Sequence, residues 1–368
     1  MRNPNRDDWS TEIQMNELTI PLPSPIDQNR MDELHSVAGR GPVLIVTHEN
    51  PDPDALAAGK GLATLFEETW GIPARMIYSG LVGRAENIAM LKILTPEWEY
   101  SQELSRLEDY SAIALVDTQP AAGNNNLPDQ VIPDIVIDHH HPLRESLKLM
   151  SYVDVRPEVG ATVSMVYQYL EAAGLTLDPV LATAVFYGIQ TDTRGLSRGA
   201  SAIDQAIYFK MLGMIDHSLL IKVEQAGLSR DYFRAFSQGL RAARIFGRTV
   251  LVYLAEMHRP DFVAEIADML IRLQDARAVL CLGYHGSTLY LSLRTEIGGE
   301  DAGNIVQGVI FPPGKAGGHG SMAGGQVPIS DQPVDLLVSK IEDRFLDIMG
   351  EAGQGEPLLP NTETATLR

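Results

Sequence analysis

The sequence contains a single cysteine, Cys281, so neither an intramolecular disulfide nor a cluster of thiolate ligands can form. That thiol lies inside the apolar run Ala278-Val279-Leu280-Cys281-Leu282, which predicts a buried structural residue. No apolar stretch reaches the roughly 20 residues that a membrane span requires. The opening segment, Met1-Arg2-Asn3-Pro4-Asn5-Arg6-Asp7-Asp8, lacks the apolar core of a secretory leader. A cytoplasmic protein with no membrane partner is therefore expected. Positive charge is also scarce, with 29 Lys and Arg against 48 Asp and Glu and a formal net charge of −19. Duplex nucleic-acid binding draws on many cation–phosphate contacts, so this balance argues against it. An acidic chain can still act on phosphates if metal ions supply positive charge locally.

What is present is ordinary globular material. The 368 residues are 45% hydrophobic and 21% charged, enough for a sizeable core and two domains. Residues 1–25 are polar, end in Pro21-Leu22-Pro23-Ser24-Pro25 and read as a flexible arm. An α/β rhythm follows. Apolar runs at Pro42–Thr47, Ala74–Tyr78, Ser111–Val116 and Asp134–Ile137 predict strands of a parallel sheet, buried on both faces. Helical periodicity marks Asp27–Val37, Asp54–Thr69, Ala161–Ala173 and Pro179–Gln190. The pattern predicts a first domain over 26–228 and an amphipathic linker helix over 229–245. A smaller second α/β domain is expected over 246–350, with strands at Thr249–Leu254, Ala278–Tyr284 and Thr288–Arg294 and helices at Asp261–Leu273 and Pro333–Met349. The polar tail, 351–368, reads as disordered.

Three of the predicted strands end in acids or imidazoles. The first runs into His48-Glu49-Asn50-Pro51-Asp52-Pro53-Asp54, the third into Asp117, and the fourth into Asp138-His139-His140-His141. In open parallel α/β sheets ligands gather beyond the carboxyl ends of the strands. Taken singly, Asp52 could make a turn and Asp54 could cap the next helix. Asp192, in Thr191-Asp192-Thr193, could likewise be only a helix-terminal acid. Together they point to a metal site, because buried carboxylates are costly unless paired or metal-bound. Carboxylate and imidazole without thiol suit Mn²⁺, Mg²⁺ or Co²⁺, and four Asp with two His are too many for one such ion. Two ions sharing a carboxylate fit, and paired ions serve in-line displacement at phosphorus.

The order His-x-x-x-Asp-x-Asp, Asp, Asp-His-His, Thr-Asp-Thr resembles the DHH phosphoesterases of the RecJ-like superfamily. Downstream, Gly317-Gly318-His319-Gly320 is similar to the glycine–glycine–histidine motif of the accessory DHHA1 domain. The resemblance spans about residues 35–330 and lies nearest the nanoRNase/pAp-phosphatase and cyclic-dinucleotide phosphodiesterase subgroup. It implies two divalent ions, Mn²⁺ above all, with His48 and Asp52 holding one and Asp54, His139 and Asp192 the other. Asp117 would bridge them, His140 would face the scissile phosphate, and Asp138 would orient the paired histidines from behind. Arg294, Gly317, Gly318 and His319 would bind substrate phosphate.

The implied activity is hydrolysis of short oligonucleotides or pAp, with a hydroxide carried by the metal pair as nucleophile. The rivals are cyclic-dinucleotide hydrolysis and, from another class, a non-catalytic nucleotide sensor. The implied partners are a nucleotide or short-oligonucleotide substrate and a second copy of the chain in a homodimer. This chain departs from the family in carrying Pro53 where a glycine is usual, which stiffens the loop and removes an N–H.

Overall fold

The computed structural model describes residues 26–296, 298–329 and 333–359. The expected arm, 1–25, and the end of the expected tail, 360–368, lie outside the described residues. The chain divides into two compact units, one drawn from Met1–Val82 and Ala89–Glu224, the other from Gly83–Ile88 and Gln225–Arg368.

Along the chain come α1 (Gln28–Ala38), β1 (Val43–Val46), α2 (Pro53–Trp70), β2 (Ala74–Tyr78), α3 (Ala85–Ile93) and β3 (Glu99–Tyr100). Then follow β4 (Ala112–Val116), β5 (Ile135–Asp138), β6 (Tyr152–Val155), α4 (Thr162–Ala172), α5 (Pro179–Asp192), α6 (Ala202–Leu212) and α7 (His217–Glu224). The six strands form one sheet in the order β3-β2-β1-β4-β5-β6, parallel throughout. Alternate residues of the apolar runs serve opposite faces, as the pleat requires. Val43, Ile45, Ala114, Val116, Ile135 and Ile137 join one core with residues of α1, α2, α4 and α5. Leu44, Val46, Ile113, Leu115 and Val136 join a second, closed by Leu127 from a loop and Leu147 from a short 3₁₀ helix, Glu145–Leu149. Burying each such side chain contributes roughly 1.5–3 kcal/mol, which is why these runs contain no polar residue until they end.

The strand order carries the functional consequence. From β1 the chain builds outward through β2 and β3, then returns to build the other way from β4. The carboxyl ends of β1 and β4 therefore flank the point where the winding reverses, the place where such sheets bind ligands.

The second unit contains α8 (Arg230–Ala242), β7 (Arg244–Phe246), β8 (Thr249–Glu256), α9 (Phe262–Leu270), β9 (Ala278–His285) and β10 (Thr288–Thr295). It continues with α10 (Ala302–Val309), β11 (Lys315–His319), β12 (Met322–Pro328), α11 (Val334–Met349) and β13 (Glu356–Pro357). Its sheet runs β11-β12-β10-β9-β8-β7-β13, with only β8 and β9 parallel. Helices α10 and α11 cover one face, and α8 and α9 the other, where Cys281 is buried. Among the described residues no helix is long and apolar enough to cross a membrane.

Two expectations need correction. The linker helix packs on this second sheet through Tyr232, Phe236 and Leu240, because its apolar stripe needs a core to cover. The tail from 351 is ordered at least to β13, which pairs with β7 while Leu358 donates its amide to the Ala243 carbonyl at 2.9 Å. The glycine-rich segment at 315–319 forms the edge strand β11. Gly318 is needed sterically, since a Cβ there would lie 2.4 Å from the Met322 carbonyl oxygen, and Gly303 of α10 is needed opposite it, where a Cβ would lie 2.2 Å from the Gly318 carbonyl oxygen.

Candidate metal centre

Beyond β1, Asp52 caps α2, accepting the Ala55 amide on Oδ1 at 3.1 Å. Pro53 occupies the first helical turn, where a missing N–H costs nothing and a fixed φ favours the helix. The departure from the family pattern is thus locally favourable, and the bland capping role coexists with any ligand role of Asp52. One residue on, Asp54 is fully buried, with Oδ1 and Oδ2 accepting the amides of Val163 and Thr162, each at 2.7 Å, at the start of α4. Asp117 follows β4 with a φ of 60°, a left-handed backbone that a non-glycine residue adopts at some cost. Its amide bonds the Ile137 carbonyl at 2.9 Å, which ties it to the end of β5 and to the following Asp138-His139-His140. Asp192 ends α5. Gly188, one turn earlier, has only 3.3 Å to spare between a would-be Cβ and the Asp54 Cα, so a small residue lets α5 bring Asp192 against α2.

The structure gathers all six expected ligands. His48, Asp52 and Asp117 offer atoms within 4.8 Å of one another, as do Asp54, His139 and Asp192. Asp117 touches both groups: Oδ2 lies 3.4 Å from His48 Nε2, and Oδ1 lies 3.7 Å from His139 Nε2. His139 Nε2 is also 3.3 Å from Asp192 Oδ2 and 4.0 Å from Asp54 Oδ2. Asp117, His139 and His140 form a further close group.

The ring tautomers follow from their neighbours. His48 Nδ1 faces the Glu49 carbonyl at 2.9 Å and His139 Nδ1 the Val159 carbonyl at 3.0 Å. Carbonyls only accept, so each Nδ1 carries a hydrogen and each Nε2 is the nitrogen turned to the carboxylates, the one that can offer a lone pair to a cation once its own proton has left. This donor set, hard oxygen and imidazole nitrogen in two groups with a common carboxylate, fits a pair of hard divalent cations.

The electrostatics fit as well. Burial, then the charges of Asp117, Asp192 and Asp52, holds the Asp54 carboxyl well above its ordinary range. Burial and Asp52 push Asp192 up to about 7. At His48 burial favours the neutral ring, but the contact with Asp117 and the charge of Asp52 outweigh it and raise the pKa to about 9. At His140 burial is likewise outweighed, by the hydrogen bond to Asp138 and the charge of Asp117, and the pKa reaches about 9. Asp117 is the exception. Burial opposes its ionisation, yet His48, His140 and His139 hold it below the usual carboxylate range. Four acids crowded among imidazoles are a site built for cations.

Asp138 is fully buried and accepts the His140 Nδ1 hydrogen on Oδ1 at 2.8 Å. Two partners were not legible in the sequence. The Thr162 hydroxyl donates to Asp117 Oδ1 at 2.7 Å, and Gln119 donates to Asp138 Oδ2 at 2.7 Å. Thr162 lies at a helix start after Gly160-Ala161, and that boundary is the one signal that marked it. Gln119, two residues after Asp117, carried none.

The remaining expected residues belong to the second unit. Arg294 is the penultimate residue of β10, is 7% exposed, and gives Nε to Asp268 Oδ1 at 2.5 Å and Nη1 to Ser292 Oγ at 2.8 Å. Asp268 also takes Arg84 at 2.6 Å, so any phosphate reaching Arg294 competes with an existing carboxylate partner. Gly317, Gly318 and His319 form the last residues of β11.

Residues 42–189 match the model described as the DHH family, N-terminal domain. An uncharacterized protein of Methanocaldococcus jannaschii is 32% identical over 321 residues, covering 84% of this chain and 65% of the relative. The chain thus spans somewhat less than two thirds of that protein's length. The bifunctional oligoribonuclease and PAP phosphatase of Thermus thermophilus is 25% identical over 327 residues, covering 86% of this chain and 93% of that one. Among solved structures, an exopolyphosphatase-related protein from Bacteroides fragilis matches with a TM-score of 0.68 at 15% identity, covering 89% of this chain and 99% of the other, a likeness of fold.

Proposed function

This chain belongs to the DHH family, and we propose that it is a two-metal phosphoesterase acting on short oligonucleotides or on pAp. The observation that carries the reading is Asp117, which presents one oxygen to His48 and the other to His139, each within a separate acid–imidazole group. His48 and Asp52 would hold one cation, Asp54, His139 and Asp192 the other, and Asp117 both. Mn²⁺ is the expected ion, with Mg²⁺ or Co²⁺ as substitutes. When bound, such a pair supplies a water of lowered pKa and positive charge opposite the phosphoryl oxygens.

The chain's own residues do the rest. The carbonyls of Glu49 and Val159 keep Nε2 of His48 and His139 turned to the cations. The amides that open α4 hold Asp54 still. His140, with Nδ1 held by Asp138, has Nε2 left for the substrate and would donate a proton from it to a phosphoryl or leaving oxygen. Gly317, Gly318 and His319, with Arg294, are assigned to substrate phosphate.

The alignment with the Thermus thermophilus oligoribonuclease and PAP phosphatase, which covers 86% of this chain and 93% of that one, supports oligoribonuclease or pAp-phosphatase chemistry. The test is a panel of di- to tetranucleotides, pAp, cyclic dinucleotides and pyrophosphate with Mn²⁺-loaded protein, the products identified by mass. Turnover of short linear oligonucleotides or pAp is expected. Preference for a cyclic dinucleotide would move the assignment to the cyclic phosphodiesterases, and tight binding without turnover of any of them would overturn it in favour of a sensor.

A further inference from the structure

We propose that Gln119 is a positioning residue: through Asp138 it fixes the ring plane and tautomer of His140. The inference rests on the phosphoesterase reading for its catalytic consequence, but its geometric part stands independently.

Gln119 is 3% exposed and every polar atom of its amide is engaged. Nε2 donates to Asp138 Oδ2 at 2.7 Å and to the His140 carbonyl at 2.8 Å, while Oε1 accepts the Arg144 amide at 2.9 Å. The two acceptors are a carboxylate and a carbonyl, neither of which donates, and the third partner is an N–H, which cannot accept. A flipped amide would set three contacts against one another, so the orientation has one solution. The backbone of Gln119 is itself held, since its carbonyl accepts Asn125 Nδ2 and the Ala122 amide, each at 3.2 Å.

Asp138 passes this order on. One of its oxygens serves Gln119 and the other the His140 Nδ1–H at 2.8 Å, so the carboxylate plane is defined at both ends. With Nδ1 committed to Asp138, only Nε2 remains to face a substrate, on a side chain that is 45% exposed. Without Gln119, Asp138 Oδ2 would lose its partner and the carboxylate could rotate, releasing the ring. Gln119 also pins the His140 carbonyl and the Arg144 amide, so it spans the whole turn that bears the paired histidines.

A role as a mere loop staple predicts lower stability and nothing more. A positioning role predicts an effect that vanishes when His140 is absent. The variants are Gln119→Met, which keeps the shape without polar atoms, and Gln119→Glu, which keeps Oε1 for Arg144 but turns a second carboxylate oxygen toward Asp138. Gln119→Asn serves if the methionine variant does not fold.

The first measurement uses the ¹⁵N-histidine spectrum of the full chain without added metal, in which the His140 ring is identified by its loss in His140→Asn. The hydrogen-bonded Nδ1–H signal is expected in wild type and shifted or lost in both variants. An unchanged ring signal overturns the proposal. The second measurement is turnover of the best substrate with saturating Mn²⁺. Since a positioned acid contributes ~10²–10⁴-fold, kcat should fall about 10- to 100-fold with KM little changed, and more in Gln119→Glu than in Gln119→Met. In a His140→Asn background the same substitutions should add little further loss. Full additivity there would reduce Gln119 to a staple. If wild type turns nothing over, the function fails while the ring spectrum still decides the geometry.

Discussion

The Thr162 hydroxyl donates to Oδ1 of Asp117 at 2.7 Å. The same residue gives its backbone amide to Asp54 Oδ2 at 2.7 Å, so the start of α4 holds both Asp54 and the carboxylate that lies between the two groups. Thr162 is therefore expected to fix how Asp117 divides its oxygens between the groups. Thr162→Val keeps the shape and removes the donor. Losses of this kind typically cost about 10–100-fold in metal affinity or activity, and that range is expected here. Thr162→Ser should retain most of both. Mn²⁺ titration followed by electron paramagnetic resonance reads the effect, and a valine variant with wild-type affinity would refute it.

On the proposed reading Asp117 is shared by both cations, so its loss would disturb both and the water that they activate. With tenfold in rate per ~1.4 kcal/mol, removal of several kcal/mol lowers kcat on the order of 10³-fold or more. Asp117→Asn, assayed at saturating Mn²⁺, should show this. Activity within tenfold of wild type would contradict the bridging role.

Metal affinity should rise with pH. Asp192 at about 7 and His48 at about 9 hold protons that must leave before either can ligate. Binding therefore strengthens as pH climbs through that window, by up to about tenfold per unit for each proton displaced. The same shifts govern stability in the opposite sense. Both folded-state values lie above the ordinary ones, so their contribution is full at low pH and is lost as pH rises through about 7 and about 9. Chelator-treated protein should thus melt lower at pH 9 than at pH 6, and added Mn²⁺ should reverse the order. Proton release measured by calorimetry in two buffers of different ionisation enthalpy tests the first part.

The proposed phosphate contacts of Arg294 and His319 are tested with Arg294→Ala and His319→Ala. Each should keep the metal stoichiometry. A charge-assisted contact to phosphate is worth about 1.5–3 kcal/mol, so kcat/KM for nucleotides should drop roughly tenfold to a few hundredfold. A small chromogenic phosphodiester should be affected much less. Equal losses on both substrates, or reduced metal content, would place these residues in the fold or the catalytic centre.

The parts of the fold that were legible are those whose burial leaves a pattern. β1, β4 and β5 are apolar on both faces and stop at polar residues, so both the strands and the chemistry at their ends could be read. β6 was hidden because Asp154 interrupts its apolar run. That acid is tolerated inside since Arg156 and the Tyr169 hydroxyl bond it, with contacts of 2.7 Å. β11 was hidden because its glycines have no side chains to show a period, and its strand state comes from pairing with β12. α10 carries Gly303 and Gly308, poor helix formers, and depends on the Asp301 cap, which accepts the Asn304 amide at 3.0 Å. At the centre the ligands were legible and their supports were not. Thr162 and Gln119 act through contacts with residues 45 and 19 positions away, and no local pattern records those.

On the proposed reading two cations share Asp117 and drive phosphoester hydrolysis. Stripping the protein with chelator and titrating Mn²⁺, while metal content and turnover of a short oligonucleotide or pAp are followed together, puts this to the test. Activity should be absent at the start and rise to its plateau as the second equivalent per chain binds, with Asp117→Asn failing to recover it. Full activity in excess EDTA, or a plateau reached with one equivalent bound and no second taken up, would contradict the account.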